Sequence, residues 1–368
     1  MTAPESSLIS PISESNISFG LEPAFNALHS LVLLTKVDHL SGLDEWVTRT
    51  ALDLSPDRGH INQVVLIGVH YAVVPTRSWS SFPLYLDDLD RQDPVALRDR
   101  VFAAYFRIGR EKGESTAGLM MPTIPELLAD QPLYFSFLRE RFGSFDEEIE
   151  AEAYDLLNDP SQLKETAVSH LRYMWTHVMS PEWERVQPLL QSCVDAYRQI
   201  DFSGKSISEA IQQVVEQKPD DWCEKIAQEA DRVVFVPSAH VGPYQGRYVV
   251  NRTLYLLFGA RQPQGLASLW PDLSRSELLV RLTALSDDNR LRILHLIAQN
   301  GEMCSPDIIR QLDLSQSAAS RHLQQLSATG YLVERRREGA KCYTLSEDRI
   351  EDTFRALSKF LQSKNTGS

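Results

Sequence analysis

Near its C-terminal end the chain carries a row of hydrogen-bonding side chains whose spacing fits one face of a helix. The row starts at Ser315 and continues with Gln316, Ser317, Ser320, Arg321 and Gln324. Residues three or four apart lie on the same face of a helix. A helix in the major groove of DNA needs such groups, because amides pair with adenine, a guanidinium pairs with guanine, and hydroxyls bind bases or phosphates. The spacing therefore predicts a surface that reads the sequence of duplex DNA.

A group of cations follows shortly after this row. Arg335, Arg336 and Arg337 are consecutive, and Lys341 lies a few residues beyond them. Successive side chains of a strand point to opposite faces, so the three arginines cannot all point the same way. On a hairpin beside DNA, alternate arginines reach a phosphate or the minor groove while the others stay solvated. We therefore predict that this hairpin contacts DNA.

Three helices and a hairpin are predicted to position these side chains. Ser305, followed by Pro306 and Asp307, is a strong helix start, because the serine oxygen can accept a bond from an unpaired amide and proline fits the first turn. Ser315 is predicted to cap the next helix, whose apolar residues face a core. The predicted elements are helices at 287–300, 305–312 and 315–328 and strands at 331–333 and 342–345. This order is that of a winged helix-turn-helix.

From Ser274 to about Gln362 the chain resembles the ArsR family of arsenical-resistance repressors, in the strings LSDDNRLRILHLI, LSQSAASRHLQQLSATGYLVERRREG and CYTL. The resemblance implies that the helix after Ser315 reads an operator, that the basic hairpin is the wing, and that His322 also lies near DNA. For His322 alone, a phosphate contact and a structural hydrogen bond are both open. The resemblance further implies a symmetric dimer that pairs through the first and last helices, at Leu278, Leu279, Leu282, Phe354, Leu357 and Leu361.

The cysteines of this region do not form the metal site common in that family. Many members bind metals through a Cys-x-Cys pair, but here Cys304 is followed two residues later by Pro306, which cannot be a ligand. A thiophilic ion needs two or three thiolates, and the last helix contains no histidine. We therefore predict neither a metal nor a cofactor. If Cys304 and Cys342 meet, they could form a redox pair; otherwise they are two small buried apolar residues.

The composition indicates a multidomain globular protein of a reducing cytoplasm. The 368 residues are 43% hydrophobic, with only 4 cysteines and no apolar run long enough to span a membrane. The net charge of -13 is uneven: from Ser276 onward 13 Lys and Arg face 12 Asp and Glu, so that part carries +1 and the remainder carries -14. Because the acidic N-terminal part repels the DNA backbone and the C-terminal part is nearly neutral, this charge distribution disfavours nonspecific binding to nucleic acid.

The predicted fold is mainly α with small β elements. Residues 1–18 are predicted to be a disordered tail, 19–260 a large helical domain that ends in a β-hairpin, 261–273 a linker, and 274–362 the winged helix. The hairpin is predicted from the β-branched run 232–238, a turn, and a second strand over 247–260. The helical domain resembles no family that we recognise.

Candidate sites for chemistry in the helical domain are weak. Residues 109–115 contain glycines and basic residues but lack the spacing of a phosphate-binding loop. His170 and His177 are seven residues apart, whereas metal ligands on a helix usually lie three or four apart. A polar group near a predicted strand could bind an anion or form a structural turn: Pro237, Ser238, His240, Arg247 and Arg252.

These observations predict a dimeric repressor that reads an inverted-repeat operator and is not an enzyme. The helical domain would modulate DNA binding, and a small-molecule effector of that domain is left open. Two alternatives remain at this point. The helical domain could be a catalytic domain that the winged helix localises, or the whole chain could be a scaffold whose winged helix binds a protein.

Overall fold

A computed structural model describes residues 16–111, 121–215, 219–260, 271–337 and 340–362. The predicted fold class is confirmed, because the structure is mainly helical with few strands. Its buried apolar residues form three clusters: one among the N-terminal helices, one beneath a sheet, and one in the C-terminal region. Among the described residues, no helix is both long and apolar enough to cross a membrane.

The helices of the N-terminal part often start with proline, whose missing amide costs nothing in the first turn. Two π-helical turns, Val64–Gly68 and Trp175–Met179, interrupt them. The helices are α1 (Pro23–Leu34), α2 (Glu45–Asp53), α3 (Pro56–Gln63), α4 (His70–Val73), α5 (Phe82–Arg91), α6 (Pro94–Glu111), α7 (Ile124–Ala129), α8 (Gln131–Phe142), α9 (Glu147–Asn158), α10 (Pro160–Met174), α11 (Ser180–Tyr197), α12 (Ile207–Val215) and α13 (Asp221–Glu229).

The N-terminal part also contains a sheet that the sequence predicted only in part. Its strands are β1 (Ile17–Phe19), β2 (Arg232–Ser238), β3 (Gly246–Val250) and β4 (Thr253–Gly259), in the order β1-β2-β4-β3. The predicted second strand at 247–260 is wrong, because positive φ angles at Asn251 and Arg252 fold it into the hairpin β3-β4. Strand β2 runs parallel to β4 and is not its hairpin partner. Strand β1 includes Ile17 and Ser18, so the prediction of a disordered tail over 1–18 is wrong for these two residues, and residues 1–15 lie outside the described residues.

The sheet lies between two layers of helices. Along β2, Val233 and Phe235 join the cluster that contains residues of α11, α12 and α13, while Val234 and Val236 join the cluster of the other helices. Since successive side chains alternate between the two faces, this pattern places apolar side chains on both sides of the sheet. Parallel strands are normally buried in this way. The short β1 is therefore held because its apolar residues complete a buried layer.

The C-terminal region has the predicted order of a winged helix-turn-helix. Its elements are α14 (Pro271–Leu285), α15 (Asp288–Asn300), β5 (Met303–Cys304), α16 (Ser305–Leu312), α17 (Gln316–Ala328), β6 (Leu332–Arg337), β7 (Ala340–Leu345) and α18 (Glu347–Gln362), with the strands in the order β5-β7-β6. The first helix begins earlier than expected, at Pro271, within the predicted linker 261–273. Residues 261–270 of that linker lie outside the described residues.

Candidate nucleic-acid interface

Helix α17 presents the predicted row of polar side chains on one exposed face. The Oγ of Ser315 accepts a hydrogen bond from the amide of Ala318 at 3.2 Å, as a helix cap does. The opposite face buries Ala319, Leu323 and Leu326 in the core of the region. Anchoring by this apolar face leaves the polar row accessible. Its exposed members are Gln316, Ser317, Ser320, Arg321 and Gln324.

His322 does not belong to that exposed row. Its side chain is only 15% exposed, and its Nδ1 lies 3.6 Å from Oδ1 of Asp287, the cap of α15. Burial lowers the pKa of His322 below its usual value, against the opposing effect of the Asp287 carboxylate. The ring therefore lies beside α15 and is largely withdrawn from the exposed row. Its Nδ1 has no hydrogen-bond partner among the described residues, so both roles that the sequence left open for His322 stay predictions.

The wing formed by β6 and β7 distributes its cations over two environments. Arg335 forms a two-pronged ion pair with Glu302, which also lowers the pKa of that carboxyl. Lys341 Nζ lies 2.8 Å from Oε1 of Glu334. Arg336 and Arg337 are exposed and form no hydrogen bond or close ion pair with other described residues, although the charge of Arg337 also lowers the pKa of Glu302. A phosphate therefore meets two available guanidinium groups on the wing, whereas the other two cations must leave a carboxylate.

The start of α16 differs from the prediction. Ser305 is not a cap: the helix begins at this residue, and its Oγ donates to the carbonyl of Lys341 at 3.3 Å. The preceding Cys304 lies in β5, opposite Cys342 of β7, and the two sulfur atoms form a disulfide. Because β5 pairs with the wing immediately before the helix, the Ser305 hydroxyl faces the wing and not the helix amides. The structure thus brings the two cysteines together.

A buried polar contact missed by the sequence analysis anchors α17. Arg290 of α15, only 7% exposed, donates to Oε1 of Gln325 at 2.9 Å. It also donates to the carbonyls of Ala284 at 2.7 Å and Thr283 at 2.9 Å. Arg290 precedes the buried Ile293 by three residues, so its position on the apolar side of the helix was the available signal. This arginine ties α14, α15 and α17 together.

Loops of the N-terminal part approach the rear of α17 closely. Gly42 and Gly242 both have positive φ angles, and a Cβ at Gly42 would lie 2.6 Å from Nε2 of Gln325. A Cβ at Gly242 would overlap the carbonyl oxygen of Gly42. The hydroxyl of Tyr244 donates to the carbonyl of Ser41 at 2.7 Å, which holds the two loops together. Glycine is needed at both positions for this approach.

The polar group predicted near the N-terminal sheet is divided among structural contacts. His240 is buried and lies 2.7 Å from Oγ of Ser30 and 2.8 Å from Oε1 of Glu182. The Ser30 hydroxyl donates to the carbonyl of Asn26 at 2.9 Å and is itself 1% exposed, so a substrate cannot reach it. This serine, histidine and glutamate therefore link α1 to α11. Of the remaining group, Ser238 is buried, and the two arginines form ion pairs, Arg247 with Asp220 and Arg252 with Asp231.

His170 of α10 and His177 of the following π-helical turn do not contribute to one site. His170 is buried and its Nε2 lies 3.0 Å from Oδ1 of Asn62. His177 lies in the π-helical turn and stacks on Tyr173. Over the described parts of the chain, no group of three or more His, Cys, Asp or Glu residues is arranged to hold a metal ion.

Helices α14 and α18 pack against each other and share an apolar outer surface. Leu279 is 53% exposed, Phe354 is 54% exposed and Leu361 is 73% exposed. Leu278 is buried within the region, while Leu282 and Leu357 are half-buried. Of the residues predicted at a dimer interface, Leu278 is therefore buried within its own protomer, and the exposed ones form the apolar surface that a second copy could cover.

Comparison with known proteins matches the C-terminal region. The sequence model described as bacterial regulatory protein, arsR family, matches residues 287–333. An arsenic resistance transcriptional regulator of Pseudomonas putida is 47% identical over 53 residues, which is 14% of this chain and 41% of that protein. A second such regulator of Pseudomonas putida is 40% identical over 82 residues, 22% of this chain and 71% of the regulator. The crystal structure of NolR from Sinorhizobium fredii aligns with 27% of this chain and all of that chain, at 29% identity and a TM-score of 0.21.

Proposed function

The chain belongs to the arsR family of bacterial regulatory proteins, and from this membership we propose that it is a repressor that binds an inverted-repeat operator as a dimer. One observation carries the proposal: α17 keeps Gln316, Arg321 and Gln324 exposed on one face while its apolar face is buried. These side chains match the hydrogen-bonding edges of bases in the major groove. Arg336 and Arg337 on the adjacent wing supply charge for phosphates.

Single substitutions on α17 test base reading. Gln316→Ala and Arg321→Ala are expected to lower the preference for an operator duplex over a random duplex by about tenfold to a hundredfold each, since a bidentate side chain contributes about 1–3 kcal/mol of discrimination. Affinity for random duplex should change little. Competition binding measured by fluorescence anisotropy separates the two affinities, with Arg49→Ala, an exposed arginine of α2, as the control. Equal losses on both duplexes would contradict base reading by this face.

Dimer formation is supported by the apolar surface on α14 and α18. Exposed Leu279, Phe354 and Leu361 would be buried by a second copy of the same helices, and two-fold pairing makes one patch its own partner. A two-fold dimer requires two half-sites that are centred about one or two helical turns apart. An operator with a single, unrepeated half-site would contradict pairing.

Modulation by the helical domain is supported by its contact with Gln325. Gly42 touches the amide of Gln325 on the rear of α17, and Arg290 holds the other end of that amide. A movement of the Gly42 loop would therefore displace α17 through one side chain, that of Gln325. An effector changes DNA affinity only if it binds the two states of this contact unequally.

A narrow cleft lies beside this contact, between the loop Gly242–Gln245 and the C-terminal region. Its cavity volume is about 20 Å³, room for about one water molecule, so a small-molecule effector would have to widen it on binding. Thr329 at the end of α17 and Arg349 of α18 line its other side, and the Arg349 Nε donates to the carbonyl of Thr329 at 3.0 Å.

Gly42→Ala tests the coupling. The added methyl group would push Gln325 away from Arg290, so we expect DNA affinity to fall by at least about threefold. The matched control is Gly143→Ala, because Gly143 has nearly the same φ, 78° against 79°, but no atom lies within 4 Å of its Cβ position. Both variants add a methyl group at a residue with positive φ, and only Gly42→Ala places that group against α17. Equal DNA affinities of the two variants would contradict the coupling.

A further inference from the structure

We propose that Cys304 and Cys342 are a redox-responsive pair whose disulfide tightens the DNA-reading region and whose reduction loosens it. The inference rests on the proposed function, because its readout is DNA binding. In the reducing cytoplasm that the cysteine content predicts for this chain, disulfides are usually transient and redox-sensing. The pair is therefore expected to alternate between a disulfide and two thiols, and not to stay permanently oxidised.

The two cysteines lie opposite each other on adjacent strands. Cys304 of β5 is the register partner of Cys342 of β7. The neighbouring pair, Met303 and Tyr343, is buried in the hydrophobic core of the winged helix. This apolar pair keeps β5 beside β7 when the sulfur bond is broken. The two thiols therefore remain close enough to form the bond again.

The ring that the disulfide closes contains the DNA-reading elements. The two cysteines are 38 residues apart, and α16, α17 and β6 lie between them. Every residue that we assign to the DNA interface, from Ser315 to Lys341, is inside this ring. The other two cysteines, Cys193 and Cys223, are buried in the N-terminal part, outside the ring. A change at the sulfur atoms thus acts directly on the DNA-reading elements.

Formation of the disulfide is a two-electron oxidation. With hydrogen peroxide, the Cys304 sulfur attacks the O–O bond to give a sulfenic acid and one water, and the Cys342 thiol then displaces a second water as the S–S bond forms. A small dithiol reverses the reaction through a mixed disulfide and is itself oxidised. Cys342 is fully buried and Cys304 is partly exposed, so Cys304 is the sulfur that meets both reagents.

The oxidised form is expected to bind DNA more tightly. The bond ties the wing to the residue that precedes α16, beside the strand pairing of Met303 with Tyr343 and two side-chain contacts, the Ser305 hydroxyl on the Lys341 carbonyl and the Glu302 carboxylate on Arg335. The ion pair of Glu302 with Arg335 is lost when Arg335 turns to a phosphate. A surface already held in its binding arrangement loses less entropy on binding. Reduction should therefore weaken binding by at least about fivefold.

The test uses the full-length protein after treatment with hydrogen peroxide or with a dithiol. Free thiols are counted in denaturant, operator affinity is measured by anisotropy, and amide exchange of α17 is followed by mass spectrometry. The variants are Cys304→Ser, at the partly exposed position, and Cys223→Ala as the control that keeps both proposed partners. We expect two thiols after peroxide and four after dithiol, with weaker DNA binding and faster exchange in α17 after dithiol. Cys304→Ser should stay at the reduced affinity under both treatments, and Cys223→Ala should respond like the unmodified protein.

Two results overturn the inference outright. Four free thiols after peroxide would mean that the pair does not oxidise, and equal affinities for an operator with two and with four thiols would mean that the bond has no influence on binding. If neither form prefers any duplex, the proposed function fails, and the exchange of α17 decides separately. Faster amide exchange in α17 after reduction would then support the redox-responsive pair without the proposed function. Unchanged exchange would overturn the redox-responsive pair as well.

Discussion

Replacing Arg335, Arg336 and Arg337 together with alanine is expected to weaken binding to every duplex by about a hundredfold near 0.1 M salt, with sequence preference unchanged. Each phosphate contact that is lost lowers the slope of log affinity against log salt concentration by about 0.9. Since successive arginines of β6 face opposite sides, one or two contacts per protomer are lost, and the slope of a dimer should fall by about 2 to 4. Titrations at several salt concentrations measure both quantities.

Single wing variants refine this expectation. Arg335→Ala should cost less than Arg337→Ala, because Arg335 must first leave Glu302 whereas Arg337 forms no ion pair with the described residues. Arg252→Ala is the control, since this exposed arginine is paired with Asp231 far along the chain from the wing. A triple variant whose affinity falls but whose salt slope is unchanged would show that the wing does not bind phosphates.

Arg290→Met should destabilise the winged helix by about 3 kcal/mol. The substitution keeps much of the side-chain volume but leaves the carbonyls of Thr283 and Ala284 and the Gln325 amide without their donor, and buried acceptors that lose their partners each cost about 1–3 kcal/mol. Amide exchange in α15 and α17 should therefore accelerate by about a hundredfold. DNA affinity should also fall, because α17 loses its hydrogen-bonded contact with α15.

Arg292→Met provides the matched control on the same helix. Arg292 is exposed and donates only to Asn289, at 3.3 Å. A surface substitution of this kind usually changes the free energy of unfolding by less than about 0.5 kcal/mol. Similar exchange rates in the two variants would contradict the structural role of Arg290.

Local signals allowed the C-terminal elements to be predicted from the sequence. Ser315 caps α17 as predicted, and Asp287 caps α15 in the same way, because a cap depends only on neighbouring amides. The division of α17 into a buried apolar face and an exposed polar face follows from helical spacing alone. The assignment of that polar face to DNA remains a prediction, since burial shows what is accessible and not what binds.

Features that depend on distant residues could not be predicted. The strand β1 pairs with β2 across more than two hundred residues, and no local pattern at Ile17 encodes that partner. Ser305 had the residues of a cap, but the pairing of Cys304 with Cys342 turns its hydroxyl toward the wing. Arg290 and Gln325 become partners only when α15 crosses α17. In each case the deciding contact joins segments that are remote in sequence.

The separation of charge bears on how the proposed repressor finds its site. The chain before Ser276 carries -14 and the remainder +1, so the acidic part repels DNA while Arg336 and Arg337 attract it. Repulsion from the body lowers the affinity for arbitrary duplexes without touching the contacts of α17. This balance favours a high ratio of specific to nonspecific binding.

Selection of duplexes from a random library by the purified full-length protein, at two salt concentrations, tests the central claim most directly. We predict one enriched motif with two half-sites related by two-fold symmetry and centred about one or two helical turns apart, with lower recovery at the higher salt. A selection in which no sequence is enriched over the random competitor would contradict the claim that α17 reads bases.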